Sequence, residues 1–138
     1  MSDMNDFNRG VIEEFRANHG KVGGGFAGAP VVLLTTTGAK SGEKRLNPLV
    51  ALVEDDTLYV FASKAGAPTS PDWYHNLVAH PEVEVEFGDD RFSATAVPIT
   101  SGPERDRLYA AQVAVQPGFA DYEKATTRVI PVVELRRG

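Results

Sequence analysis

The chain has 138 residues, 42% of them hydrophobic and 24% charged, with a formal net charge of −5. That length suits one ordinary domain, 1–138, which buries roughly 68–70% of its unfolded surface and needs no staple. The absence of cysteine excludes disulfides, thiolate metal sites and cysteine nucleophiles, and the acidic balance argues against a nucleic-acid partner.

The first residues, Met1-Ser2-Asp3-Met4-Asn5-Asp6, are polar and acidic, with neither a basic nor an apolar leader segment. No apolar run approaches the roughly 18 residues of a membrane span, so a cytoplasmic location is expected. Met4, Phe7, Val11, Ile12 and Phe15 recur at three- and four-residue steps, which predicts a helix within residues 1–20. Asn5 or Asp6 would cap it, and Asn18-His19-Gly20 would end it. Its polar side carries Glu13, Glu14 and Arg16, too few bases for an anionic surface. Packing on the domain is therefore expected over peripheral membrane contact.

Residues 21–30 read as a glycine-rich linker. Gly23, Gly25 and Gly28 spell a literal G-x-G-x-x-G, but it follows a helix and precedes an apolar run. The dinucleotide fingerprint needs the reverse context.

Strands follow. Residues 31–36 and 46–53 form apolar, β-branched runs around a turn at 37–45, and a reversal at 54–57 leads into 58–62. Glu82-Val83-Glu84-Val85-Glu86-Phe87 alternates strictly, predicting one buried face and a ladder of carboxylates on the other. Residues 88–90 turn it into 91–99. A last strand at 129–135 carries Pro131, which implies an edge or bulged position. Ser70 before Pro71 signals a short helix to about His80, with Ser70 as its cap. Ser101-Gly102-Pro103-Glu104 reads as a capping box opening a second helix to about Val115. The expected fold is α+β and mainly antiparallel: a small closed or partly closed barrel, an N-terminal helix and two short marginal helices.

The standard hydrolytic and phosphate-binding motifs are absent. His19, His75 and His80 lack ligand partners in the pattern, so no metal is expected. What stands out is charge. Lys40, Lys44 and Arg45 face one acid, Glu43, giving a local +2 between Thr37 and Arg45. Gly38, Ser41 and Gly42 would bare backbone N–H groups there, so the turn predicts an anion held by charge-assisted bonds and a nest of amides. The alternative is a solvated hairpin tip. Further on, Trp73, the only tryptophan, stands in a short helix three residues before Asn76. It would cover a planar ligand or seal the barrel end, while Asn76 offers a donor and an acceptor.

Three stretches carry a resemblance: Thr36-Thr37-Gly38-Ala39-Lys40-Ser41-Gly42 with Arg45 and Pro48, then Ser63-Lys64-Ala65-Gly66, then Pro71-Asp72-Trp73-Tyr74-His75-Asn76-Leu77. With Tyr122 and Thr127-Arg128-Val129-Ile130-Pro131-Val132, they resemble the deazaflavin (coenzyme F420)-dependent nitroreductase family, in order and over residues 7–135. The resemblance implies a split β-barrel of the FMN-binding split-barrel kind that uses reduced coenzyme F420 as hydride donor. Cofactor contacts would fall on Ala39, Lys40 and Ser41; on Arg45, Leu46, Asn47, Pro48, Leu49 and Val50; on Phe61, Ala62, Ser63 and Lys64; and on Asp72, Trp73, Tyr74, His75 and Asn76. Lys40 and Arg45 would hold the phosphate. Ala39 stands where relatives commonly carry a base, and Phe119 where nitroimidazole reducers tend to carry a second tyrosine.

The cofactor would then supply the chemistry, which accounts for the missing triad. A planar small-molecule acceptor (quinone, nitro compound or activated enone) would take the hydride. Phe119 and Tyr122 would bind it, with Tyr122 and Ser63 orienting it or relaying a proton. FMN is the alternative cofactor, and a non-catalytic carrier the alternative role. Split barrels often pair through sheet faces, so a homodimer is compatible, although the Glu82/Glu84/Glu86 ladder implies a face that stays wet or meets something basic.

Overall fold

A computed structural model describes residues 6–23 and 29–137; Met4, Asn5, Gly25 and Gly28 of the readings above lie outside them. Six strands close into a barrel in the order β1-β2-β3-β6-β5-β4, every neighbouring pair antiparallel. They are β1 (Val31–Thr37), β2 (Lys44–Glu54), β3 (Thr57–Phe61), β4 (Glu82–Phe87), β5 (Asp90–Ile99) and β6 (Val132–Arg137). Around them stand α1 (Asp6–Ala17), α2 (Asp72–Ala79), α3 (Pro103–Val115) and α4 (Gly118–Lys124). The antiparallel barrel with marginal helices is the expected architecture, and α4 is an element the sequence reading lacked.

β1 is apolar without alternation because both of its faces are covered. Val32 and Leu34 point inward with Ala51, Val60, Val85 and Val133, while Val31 and Leu33 point outward against Val11, Ile12 and Phe15 of α1. β4 alternates because only one face is covered: Val83 and Val85 are buried, Glu82 and Glu84 exposed. The acid ladder does meet something basic, and it is this chain's own α1. Arg16 donates to Glu86 through Nε at 3.2 Å and Nη2 at 2.8 Å, and Arg91 reaches Glu84 at 3.4 Å. The chain leaving α1 docks backbone to backbone on the β4–β5 turn. A Cβ at Gly20, where φ is +90°, would lie 2.6 Å from the Gly88 Cα.

Three local expectations are corrected. Pro131 does not mark an edge: β6 lies between β3 and β5 and starts one residue later, and the Pro131 carbonyl accepts the Ala62 N–H at 3.0 Å. Ser70 is not the cap of α2. Pro71 occupies that position, and the Ser70 hydroxyl accepts from Arg128 Nη1 at 3.2 Å. Nor do Ser101 and Glu104 form a capping box. Gly102, at φ +93°, is the cap of α3, and the Glu104 carboxylate is taken by Arg107 at 2.8 Å.

α3 and α4 cover the outer face of β2, β3 and β6 through Leu52, Tyr59, Phe61, Leu108, Tyr109, Ile130 and Val132. The Tyr109 hydroxyl donates to the Phe119 carbonyl at 2.7 Å, tying α4 to α3. Burial pushes the Tyr109 phenol up to about 12, so it remains a protonated donor. Arg105, 5% exposed, donates to the Ile130 carbonyl at 2.9 Å and to Glu123 at 3.0 Å.

One buried group breaks the rule that interior polar atoms are paired. Gln112 is fully buried, and neither amide atom has a partner among the described residues. Gln112→Met keeps the volume and removes the orphaned amide. It should raise stability by about 1–3 kcal/mol, read as a higher denaturant midpoint at an unchanged slope.

Candidate functional site

Register places the site. Leu34 pairs with Asn47 and Thr36 with Arg45, so the inward face of the barrel continues past its apolar core into Asn47, Arg45 and Thr36. Trp73 and Leu77 of α2 pack into that core and close the floor. Above them opens a cleft of about 800 Å³. It is lined by Gly38, Ala39, Lys40 and Ser41 of the β1–β2 turn, by Arg45 and Asn47, by Lys64, and by Pro71, Asp72, Trp73, His75 and Asn76. Three cations face one carboxylate there, so the cleft is +2 in a chain of −5.

The turn is not an open nest of amides. Gly38 N–H donates to the Glu43 carbonyl at 2.7 Å and Gly42 N–H to the Gly38 carbonyl at 3.0 Å. Glu43 N–H goes to the Ser41 hydroxyl at 3.1 Å, and Ala39 N–H to Asn76 Oδ1 at 3.0 Å. Closing a tight turn consumes these donors. The positive character of this turn therefore comes from side-chain charge more than from backbone. Lys44 is turned aside onto the Thr37 hydroxyl at 3.0 Å, and Arg45 pairs with Glu43 at 3.0 Å.

Asn76 does more than offer a donor and an acceptor. It is 9% exposed; Oδ1 accepts from Ala39, and Nδ2 donates to the Thr36 hydroxyl at 3.3 Å. The side chain braces α2 against the end of β1 and the basic turn.

The third wall follows β3. Lys64, a non-glycine residue at φ +45°, begins a single 3₁₀ turn, Lys64–Gly66. Arg128 holds that stretch with four hydrogen bonds: Nε to the Ala67 carbonyl at 2.9 Å, Nη1 to Ser70, and Nη2 to the Ala62 and Ser63 carbonyls at 3.0 Å each. Burial lowers the Arg128 pKa from its usual value. On the outer side the 3₁₀ turn meets α4, where a Cβ at Gly66 would lie 2.9 Å from the Tyr122 carbonyl oxygen.

Of the residues singled out in sequence, Ala39, Lys40, Ser41, Arg45, Asn47, Lys64, Asp72, Trp73, His75 and Asn76 are brought together around the cleft. The others are not. Strand alternation splits 45–50: Leu46 packs toward α1, while Pro48 and Val50 pair with Leu33 and Val31 on the outward face. Leu49 and Ala62 belong to the barrel interior, where Tyr74 also packs. Ser63 is buried, its carbonyl shared by Arg128 and Gly66. Phe61, Phe119 and Tyr122 lie in the aromatic cluster outside the barrel, with Phe119 5.0 Å from Tyr122 and 5.7 Å from Phe61 between ring centres. Tyr122 thus approaches the cleft only across the 3₁₀ turn. Arg128 and the bracing role of Asn76 are what the sequence reading missed.

Comparison with known proteins fits this geometry. A family model described as F420H(2)-dependent quinone reductase matches residues 7–136. An F420H(2)-dependent quinone reductase of Mycobacterium tuberculosis is 40% identical over 128 residues, covering 89% of this chain and 85% of that protein. A solved F420-H2 dependent reductase is 42% identical, covers 78% of this chain and 94% of its own, and superposes with a TM-score of 0.71. Another solved structure, described as a domain-swapped dimer, is 37% identical over 93% of this chain and 96% of its own, with a TM-score of 0.73.

Proposed function

The chain belongs to the F420H(2)-dependent quinone reductase family, and on that premise we propose that its basic cleft holds reduced coenzyme F420. The reaction is hydride transfer from reduced F420 to a quinone, which narrows the three acceptor classes expected from sequence to one. Neither FMN nor a carrier role is favoured, since the family and its named relatives are F420-dependent reductases.

The residues present fit such a cofactor. Its phosphate and acidic tail need cations, and Lys40, Arg45 and Lys64 converge on one opening. A volume near 800 Å³ suits a ligand of that size, and Trp73 offers a planar apolar surface. That concentration of positive charge in an acidic chain is the observation that carries the reading. When bound, the reduced deazaflavin supplies the hydride, so the protein contributes binding, orientation and exclusion of water. Lys40 and Arg45 hold the phosphate, and Lys64 holds anionic groups from the opposite wall. Trp73 and Leu77 keep the floor dry. Tyr122 orients the quinone from the α4 side, across the 3₁₀ turn, with Phe119 packed beside it.

Paired titrations test this. Added F420 should saturate and quench Trp73 fluorescence, FMN should bind far more weakly, and reduced F420 should turn over with a quinone. Saturable FMN binding without F420 binding would overturn the reading.

Among the described residues no helix is long and apolar enough to cross a membrane. A cytoplasmic location follows as a proposal, and so does a homodimer, supported by the domain-swapped neighbour. Light scattering should give twice 14.9 kDa.

A further inference from the structure

Lys64 occupies an unusual place for a lysine. Its φ of +45° lies in the left-handed region, where a β-carbon is strained, and the next positive φ is at a glycine, Gly66 (+85°). Such a conformation persists only where the surroundings impose it. Arg128 brackets it from 64 residues away: one nitrogen, Nη2, binds the carbonyls of Ala62 and Ser63 immediately before Lys64, and Nε binds that of Ala67 immediately after Gly66. The fork also takes the Ser70 hydroxyl, so the turn is held at both ends by one planar group. Arg128 itself is absent from the cleft lining, whereas Lys64 is in it.

We propose that Arg128 is a positioning residue, whose guanidinium fork holds the 62–67 backbone in the strained form that aims the Lys64 ammonium into the cofactor cleft. The proposal rests on the F420 reading above. Lysine cannot replace it, because a single ammonium cannot span four acceptors in a fixed plane. Glycine is the residue this backbone would choose at position 64 if conformation alone mattered; a lysine there serves its charge.

The test is a double-mutant cycle on F420 affinity, read by fluorescence titration with thermal melting alongside. Arg128→Lys should weaken F420 binding tenfold or more in the otherwise native chain, and less than twofold when Lys64→Ala is already present. Equal losses in both backgrounds would mean general damage to the site and overturn the proposal. So would an unchanged affinity in the single variant. Lys64→Gly removes the strain and the charge together. It should melt no lower than the native chain while binding F420 at least tenfold more weakly, and its salt dependence should be shallower. A Lys64→Gly chain that binds as tightly as native would overturn the proposal even if Arg128→Lys does not fold. Failure of the native chain to bind F420 at all would instead remove the cofactor reading beneath it, a result distinguishable from either.

Discussion

Replacing Lys40 and Arg45 together by alanine is expected to weaken F420 binding at least a hundredfold while leaving the fold intact. A hydrogen bond to a charged group contributes about 1.5–3 kcal/mol, so each base alone is expected to be worth about ten- to 150-fold. Adding the two smaller single losses gives about 3 kcal/mol, which is the hundredfold expected for the pair. Electrostatics points the same way. With both bases gone, Lys64 and Asp72 leave the cleft neutral inside a chain that is already acidic. Stability should hardly change. Lys40 is exposed, and the Arg45–Glu43 pair is a rim contact in which Glu43 is 68% exposed, the kind of pair worth about 0–1 kcal/mol. The variant should also lose most of the salt dependence of binding, because the screened attraction has been removed. An unaltered affinity at low salt would place the phosphate elsewhere.

The distinction between charge and backbone at this turn also shows what a sequence can reveal. Lys40 and Arg45 stand five apart, so their concentration is visible without any fold. The fate of the turn's amides is not. Gly38 and Gly42 are bonded within the turn, but the Ala39 amide goes to Asn76, which is 37 residues distant. The barrel was legible because hairpins are local and the β4 pattern alternates. That same alternation, applied to β2, separates Arg45 and Asn47 from Leu46 and Pro48, so this signal was present in the sequence. Arg128 had none. Its acceptors include three backbone carbonyls 61–66 residues upstream, and no side-chain pattern encodes a carbonyl's position. α4 was invisible for a related reason. Gly118–Lys124 is too short to show an apolar stripe, and it is held by Phe119 docking on Phe61 of β3 and Tyr109 of α3, with Tyr122 packed on Phe119.

Gly66→Ala should be the most damaging methyl group that can be added near the cleft. The residue sits at φ +85°, where an alanine costs about 1–2 kcal/mol from its own Cβ. The new carbon would also lie 2.7 Å from the Ala125 Cβ and 2.9 Å from the Tyr122 carbonyl oxygen. Neither atom is the end of a flexible side chain, so α4 as a whole must move, and overpacking of this kind adds about 1–3 kcal/mol. The combined loss should be about 2–5 kcal/mol. Gly118→Ala is the control in the same helix: its added carbon meets nothing within 4 Å, and stability should stay within about 0.5 kcal/mol. Function should divide along the same line. Lys40 and Arg45 are carried by the β1–β2 turn and β2 and should stay in place, so F420 affinity in Gly66→Ala should fall by no more than the loss seen in Lys64→Gly. Quinone turnover should fall far more, because the displaced helix carries Tyr122 and Phe119. If turnover and cofactor affinity instead fall in proportion, or if neither falls, then α4 does not border the acceptor and the role given to Tyr122 is wrong.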